Sequence, residues 1–415
     1  MKNNKSSKED VLIKILVIIL ILIIGVGVYI FLTQNNILNF NDNEQAELKT
    51  NEIVEQSSNE VKEETIVEDI SFNISAIGDV MCHNTQYRDA YIKETGKYDF
   101  SYVFDEIKQY TQSADLTIGS LETVFAGSDI GYSNYPMFNS PDALAYDLSE
   151  MGVDILSTAG NHVLDKGISG LNRTIDVLND AGISNTGTYK SQKERDTTLI
   201  KDVKGVKIGI INYTYGTNGI PIPKGKEYCV NLIDKDLILG DIENAKKQGV
   251  DMIIACMHWG TEYSRTANDE QIELSNFLFE NGVNIILGNH PHVLEPMEKR
   301  TVTLKDGSKQ DGFIIYASGN FICDQNYKYT RNSAILDMKI TKKANGKINI
   351  DKVSYVPIYM YKDNATAVQR MKLMDIEQNI YDYENGTSNI SNVTYNLLKT
   401  ELKNITDILG KEIQE

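Results

Sequence analysis

The chain has 415 residues and a net charge of −17. That balance gives no basic surface for a nucleic-acid partner, and the length lets one large domain bury its own core without staples. The four cysteines, Cys82, Cys229, Cys256 and Cys323, form no C-x-x-C pair. An extracellular setting would permit a disulfide, but nothing in their spacing demands one. Cys256, inside the apolar run "MIIACM", is expected to pack as a small hydrophobe.

In chain order, the first element is the uncharged run Ile15 to Leu32, long enough to span a bilayer as a helix. Lys2, Lys5, Lys8 and Lys14 lie at or before its start and no basic cluster follows it. The positive-inside rule then puts residues 1–14 in the cytoplasm and the rest outside, a single-pass protein of the cell membrane with an extracellular C-terminal domain. A cleaved signal peptide competes with this reading, but the run exceeds a usual h-region and no A-x-A-like site follows. Residues 33–69 hold ten acidic residues and two lysines, with Phe40 the sole aromatic. Such a segment cannot bury a core and is expected to be a disordered acidic tether.

A globular domain is expected over residues 70–360, where one unit recurs. "EMGVDILSTAGNH" (150–162), "KQGVDMIIACMHWG" (247–260) and "ENGVNIILGNHPH" (280–292) each run from a helix end through Gly and Val into an apolar strand, then a histidine. "YTQSADLTIGSLET" (110–123) is a looser copy with Glu122 in the histidine's place, and the opening strand "SFNISAIGDVMCH" (71–83) leads into Asp79 and His83. Helices alternating with apolar strands imply α/β layering. Hairpins are expected at Lys204-Gly205 and Asn345-Gly346, which adds antiparallel strands and suggests a two-sheet body. Residues 361–415 are expected to be a peripheral, partly helical tail.

Polar residues at the carboxyl ends of such strands converge on one crevice. Those ends carry Asp79, His83, Glu122, Asn161, His162, His258, His290 and His292, which include all five histidines of the chain. Scattered structural histidines would not sort so completely, so the pattern points to a transition-metal site. His290 and His292, two apart after a strand, would project to the same side by alternation.

The motifs "GDVMCH", "GSLET", "GNHVLDKG", "HWGTEY", "GNHPHVLEP" and "YASGNF" occur in order from Gly78 to Phe321. In them the chain resembles CapA-type proteins of capsule and poly-γ-glutamate synthesis, relatives of calcineurin-like metallophosphoesterases. The resemblance implies a four-layer α/β/β/α sandwich with two divalent transition-metal ions, Mn, Zn or Fe. Asp79 and His292 would bind the first, Asn161, His258 and His290 the second, and Glu122 would bridge. His162 would donate a proton to a leaving group, with Asp165 orienting it. His83 is carried as a further metal ligand, its alternative being a residue that supports the site or faces substrate. Glu262 and Asn320 could reach the crevice, and Trp259 is expected to pack beside it.

The chain departs from the phosphoesterase pattern in three places. The usual Asp-x-His becomes Asp79-Val80-Met81 with the histidine delayed to His83, Glu122 replaces an aspartate, and no acidic residue directly follows Asn161-His162. A longer carboxylate and a displaced histidine change the shape of the site and weigh against an ordinary phosphatase. The implied function is capsule or poly-γ-glutamate biosynthesis, with the membrane, an anionic polymer and membrane-bound synthase subunits as partners. A metallohydrolase acting on phosphoester or amide bonds of envelope material is a second reading. A polymer-binding subunit without catalysis is a third.

Overall fold

Strand Ile70–Val80 buries Phe72, Ile74 and Ala76 on one face, as a period of two requires. A computed structural model describes residues 68–363 and 369–410 of the chain. The expected membrane helix and nearly all of the tether lie outside those residues. The single-pass membrane localisation is corrected here: among the described residues no helix is long and apolar enough to cross a membrane. The longest of them, Asn392–Leu409, is interrupted by Lys399, Glu401, Lys403 and Asp407.

The fold is mixed α/β with two large sheets. In the first, Ile70–Val80 runs parallel to Leu116–Leu121, which is followed outward by Ile155–Ser157 and Ser184–Thr186. On its other side Ile70–Val80 pairs antiparallel with Asn332–Lys342, then come Ile348–Lys362 and Met371–Asp375. The second sheet has Val206–Thr214, Met252–His258, Ile285–Asn289 and Lys309–Ile315 in parallel, with antiparallel edges Leu199–Val203 and Met297–Thr303. Phe72, Ile74 and Ile118 of the first sheet share a core with Ile208, Ile254, Cys256 and Leu287 of the second. Each such aliphatic side chain contributes about 1.5–3 kcal/mol when fully buried. Leu144, Leu148 and Leu178 of helices Ala143–Glu150 and Gly167–Asp180 cover the other face of the first sheet. Ile238, Ile242, Leu274 and Leu278 of helices Lys235–Lys247 and Asp269–Glu280 do the same for the second.

The expected hairpins form. Lys204 (φ 54°) and Gly205 (φ 87°) are the two central residues of one turn, a conformation that matches the twist of the flanking strands. Gly346 closes the other, donating its N–H to the Lys343 carbonyl. The body extends beyond the expected boundary at 360. Met371–Asp375 completes the first sheet, and Leu398, Ile405 and Leu409 of the final helix lie on one stripe within the central core. Spacings of seven and four residues place them there, so the segment is a covering layer of the domain and not a peripheral tail.

Candidate metal centre

Sheet register builds the site. Asp79 lies opposite Ser120, and Glu122 stands just past the end of the same neighbouring strand. In the second sheet Thr214, His258 and Asn289 form one row, with His290 next in the chain. Asn161 and His162 follow strand Ile155–Ser157. Gly78 lets the backbones close beneath Asp79: a Cβ there would stand 2.0 Å from the Gly319 carbonyl oxygen, which accepts the Asp79 N–H at 2.9 Å.

Strand alternation does not bring His290 and His292 together. The strand ends at Asn289, and both histidines sit at positive φ, 99° and 62°. Non-glycine residues in that region are strained and persist only where their surroundings hold them. Here the His290 N–H donates to Asp79 Oδ2 at 3.0 Å, and the His292 Nδ1 lies 3.1 Å from Asn320 Oδ1. The reversal turns both imidazoles toward the buried carboxylates.

Three overlapping groups result, each with ligand-type atoms within 4.8 Å of one another: Asp79, Glu122 and His292; Glu122, His258 and His290; Glu262, His290 and His292. Glu122 belongs to the first two. Its oxygens lie 3.7 Å from His258 Nε2 and 3.6 Å from His292 Nδ1, and neither oxygen has a hydrogen-bond partner. His290 Nδ1 is likewise buried and unpartnered. Asn161 Oδ1 stands 3.0 Å from His258 Nε2. Two donors that share one ion at about 2.0–2.2 Å must themselves lie roughly 3–4 Å apart. The two Glu122 separations are too long for good hydrogen bonds and suit that arrangement, while Asn161 and His258 stand at hydrogen-bond distance.

The protonation states agree with the geometry. Burial pushes the Asp79 carboxyl up to about 6, against hydrogen bonds from His290 and Ser120 that lower it. Glu122 is raised well above its ordinary range by burial first, then by Asp79, Glu262 and Asp165. Burial lowers His290 to about 4 and His292 to about 3, and it holds His258 well below its usual value, helped by the neighbouring imidazoles. Neutral imidazoles and unpartnered carboxylate oxygens form a nest of lone pairs that lacks positive charge. The residues present fit a bound cation.

His162 differs from these. Its Nδ1 lies 2.8 Å from Asp165 Oδ2, and that same oxygen accepts the Phe138 N–H at 2.6 Å. The Phe138 ring meets the imidazole edge-on at 4.7 Å, and the Asn218 amide nitrogen lies 3.4 Å from Nε2. Asp165 therefore sets ring orientation and places a proton on Nδ1, which leaves Nε2 as the atom free to exchange one with a substrate.

His83, carried as a metal ligand, joins none of the three groups. The Asp324 N–H donates to its Nδ1 at 3.2 Å, so the proton of the neutral ring sits on Nε2 and neither nitrogen offers a lone pair to a metal. Trp259 is buried and donates to the Tyr316 carbonyl at 2.9 Å, as a packing residue would. Sequence reasoning passed over Tyr215, whose ring centre is 4.5 Å from that of His290, and Asn218. Both follow strand Val206–Thr214, and the strand-end rule that selected the histidines applies equally to them.

A family model described as "Bacterial capsule synthesis protein PGA_cap" matches residues 73–325. The chain is 26% identical over 296 residues to the capsule biosynthesis protein CapA of Bacillus anthracis, covering 69% of this chain and 67% of that protein. It is 28% identical over 227 residues to the PGA biosynthesis protein CapA of Bacillus subtilis (strain 168), covering 54% of this chain and 56% of that one. The second match thus spans little more than half of its relative. Among solved structures, the NAD nucleotidase of Haemophilus influenzae aligns at 15% identity and a TM-score of 0.47, over 84% of this chain and 65% of that one. The family match covers the strands and loops that carry Asp79, Glu122, His162, His258, His290 and His292, and the chain belongs to the bacterial capsule synthesis family PGA_cap.

Proposed function

We propose that this protein handles an anionic capsule polymer, poly-γ-glutamate first among the candidates, at a dinuclear metal site within a four-layer α/β/β/α body. The B. subtilis relative is a PGA biosynthesis protein by name, which supports the polymer class. Asp79, Glu122 and His292 would hold one divalent transition-metal ion, and Glu122, Asn161, His258 and His290 the other. Ions so held would supply Lewis acidity and clamp an oxyanion of the substrate. The observation that carries the reading is Glu122: a fully buried carboxylate with both oxygens unpartnered, flanked by imidazole nitrogens 3.7 and 3.6 Å away.

The chain's own residues divide the remaining work. His162 Nε2 carries a proton to or from the group that leaves the substrate, and Asp165 with the Phe138 N–H keeps the ring aligned. That pair favours bond making or cleavage over mere retention of polymer, because a binding subunit needs no oriented proton carrier. Synthase subunits that make the polymer are the partners this role requires. Glu122→Gln tests the centre. Elemental analysis of the wild-type chain should find about two ions per chain and of the variant at most one. Equal metal content in the two proteins would refute the bridging role.

A further inference from the structure

Two openings adjoin the histidine cluster, and their charges differ in sign. On the Tyr215 side a cavity of about 540 Å³ is lined by Asp234, Glu270 and Glu273, with Lys235 the only cation among the described residues, itself bonded to Glu273. On the other side the ring of Tyr263 lies 5.9 Å from that of His292, and Tyr327 lies 4.5 Å from Tyr263. Tyr327 is 64% exposed and Tyr263 37%. The next residues outward are cationic: Arg265 sits 4.0 Å and Lys328 4.5 Å from the centre of the Tyr329 ring. From there a groove of about 370 Å³ runs past Arg331 and Asn332 to the final helix, and a second of about 340 Å³ continues past Arg331 to Lys362. Asp324 is paired with both Arg331 and Lys362 and so leaves one of their two charges unmatched. Glu401, bonded to the amides of Asn332 and Asn404, keeps its own charge; set against Arg265 and Lys328 it leaves the groove net cationic.

We infer that the Tyr263–Tyr327–Lys328–Arg265 track, continuing into the groove along the final helix, is the binding path for successive units of an anionic chain whose reacting end lies at the histidine cluster. This rests on the polymer reading above and adds the direction of the chain, because the acidic cavity repels what the track attracts. Exposed tyrosines suit a polymer of amide-linked acids: both rings can pack on the methylene and amide segments, and the Tyr327 O–H can donate to carboxylates, that of Tyr263 being turned to Glu262. Arg265 is fixed for the task. Its guanidinium stacks on Tyr329 and donates to the Asn404 carbonyl of the final helix, so its charge is held at the mouth of the groove.

The test is binding of a fluorescent γ-linked glutamate oligomer of about ten units to the full metal-loaded chain at low salt. Lys328→Glu and Tyr327→Ala, both at exposed positions, should each weaken binding, the charge reversal by about tenfold. The affinity lost to Lys328→Glu should shrink as salt rises. Glu270→Gln and Glu273→Gln, in the opposite cavity, should leave the affinity within about twofold. Wild-type binding retained in both track variants would overturn the track alone and leave the polymer reading standing. An oligomer that fails to bind the wild-type chain at any salt would overturn both. A loss seen in the cavity variants and not in the track variants would reverse the direction proposed.

Discussion

His258, His290 and His292 on one side and His162 on the other are histidines of one crevice in opposite states. His162 has its Nδ1 bonded to a carboxylate that is itself held by a backbone N–H. His290 keeps an unpartnered Nδ1, and His258 and His292 face Glu122 from distances too long for hydrogen bonds. A buried polar atom without a partner costs roughly 1–3 kcal/mol, so His290 Nδ1 and the two orphaned Glu122 oxygens persist together only where something else compensates. An imidazole already oriented by a carboxylate needs no ion to complete it. Within one site, the unsatisfied set is suited to holding a cation and the satisfied one to moving a proton.

His162→Ala breaks the comparison most sharply. If the satisfied histidine is the proton carrier, the variant should lose about a hundred- to ten-thousandfold in polymer output or in hydrolysis of a probe ester. Its metal content by elemental analysis should match wild type, because His162 belongs to none of the candidate ligand groups. A variant that loses ions together with activity would move His162 into the ligand set and erase the distinction.

A second way to sharpen the contrast is through pH in the metal-free protein. Burial holds His290 at about 4 against an ordinary 6.5, and His292 at about 3. Between pH 6.5 and about 4 the unfolded chain binds a proton that native His290 refuses, so its neutral ring favours the fold above this window and that stability is lost as pH falls through it. Asp79 acts with the opposite sign: raised to about 6, it contributes stability at low pH that is lost as pH rises from 3.8 through 6. His290→Gln removes only the first effect. Its stability relative to wild type, read from urea midpoints, should therefore rise as pH falls from 6.5 to 4, by up to about 1.4 kcal/mol per unit. Parallel curves for the two proteins would mean that His290 is not kept neutral by the fold.

The same contrast explains how far the sequence could be read. Helix–strand units ending in histidine were legible because periodicity and glycine stops are local, and so were the turns at Lys204-Gly205 and Asn345-Gly346. That His258, His290, His292 and Glu122 share one crevice followed from strand ends, while their division into ligand sets came from the family resemblance. The left-handed backbone at His290 and His292 was not legible, since histidine adopts it only occasionally and the Asp79 and Asn320 contacts that accompany it come from remote strands. Nor could sequence show His83 accepting an N–H from Asp324, 241 residues away. Leu398, Ile405 and Leu409 did carry a helical stripe, but the surrounding Asn- and Tyr-rich text concealed that this helix belongs to the core.

The smallest expected effect concerns Asp165. In Asp165→Asn the side-chain carbonyl can keep the Oδ2 position, because the Phe138 N–H at 2.6 Å needs an acceptor there and would oppose an amide NH₂. That choice preserves the bond to His162 Nδ1 and the ring's orientation, while the negative charge is lost. The NH₂ then takes the place of Oδ1, which is buried and already lacks a partner. Turnover should fall by about ten- to a hundredfold, the range for groups that orient a functional histidine, and by less than in His162→Ala. KM and metal content should hold, since Asp165 touches neither the ligand groups nor the proposed polymer track. A fall in metal content, or a loss as deep as that of His162→Ala with a misfolded spectrum, would make Asp165 a structural support of the loop and not a positioning residue for proton transfer.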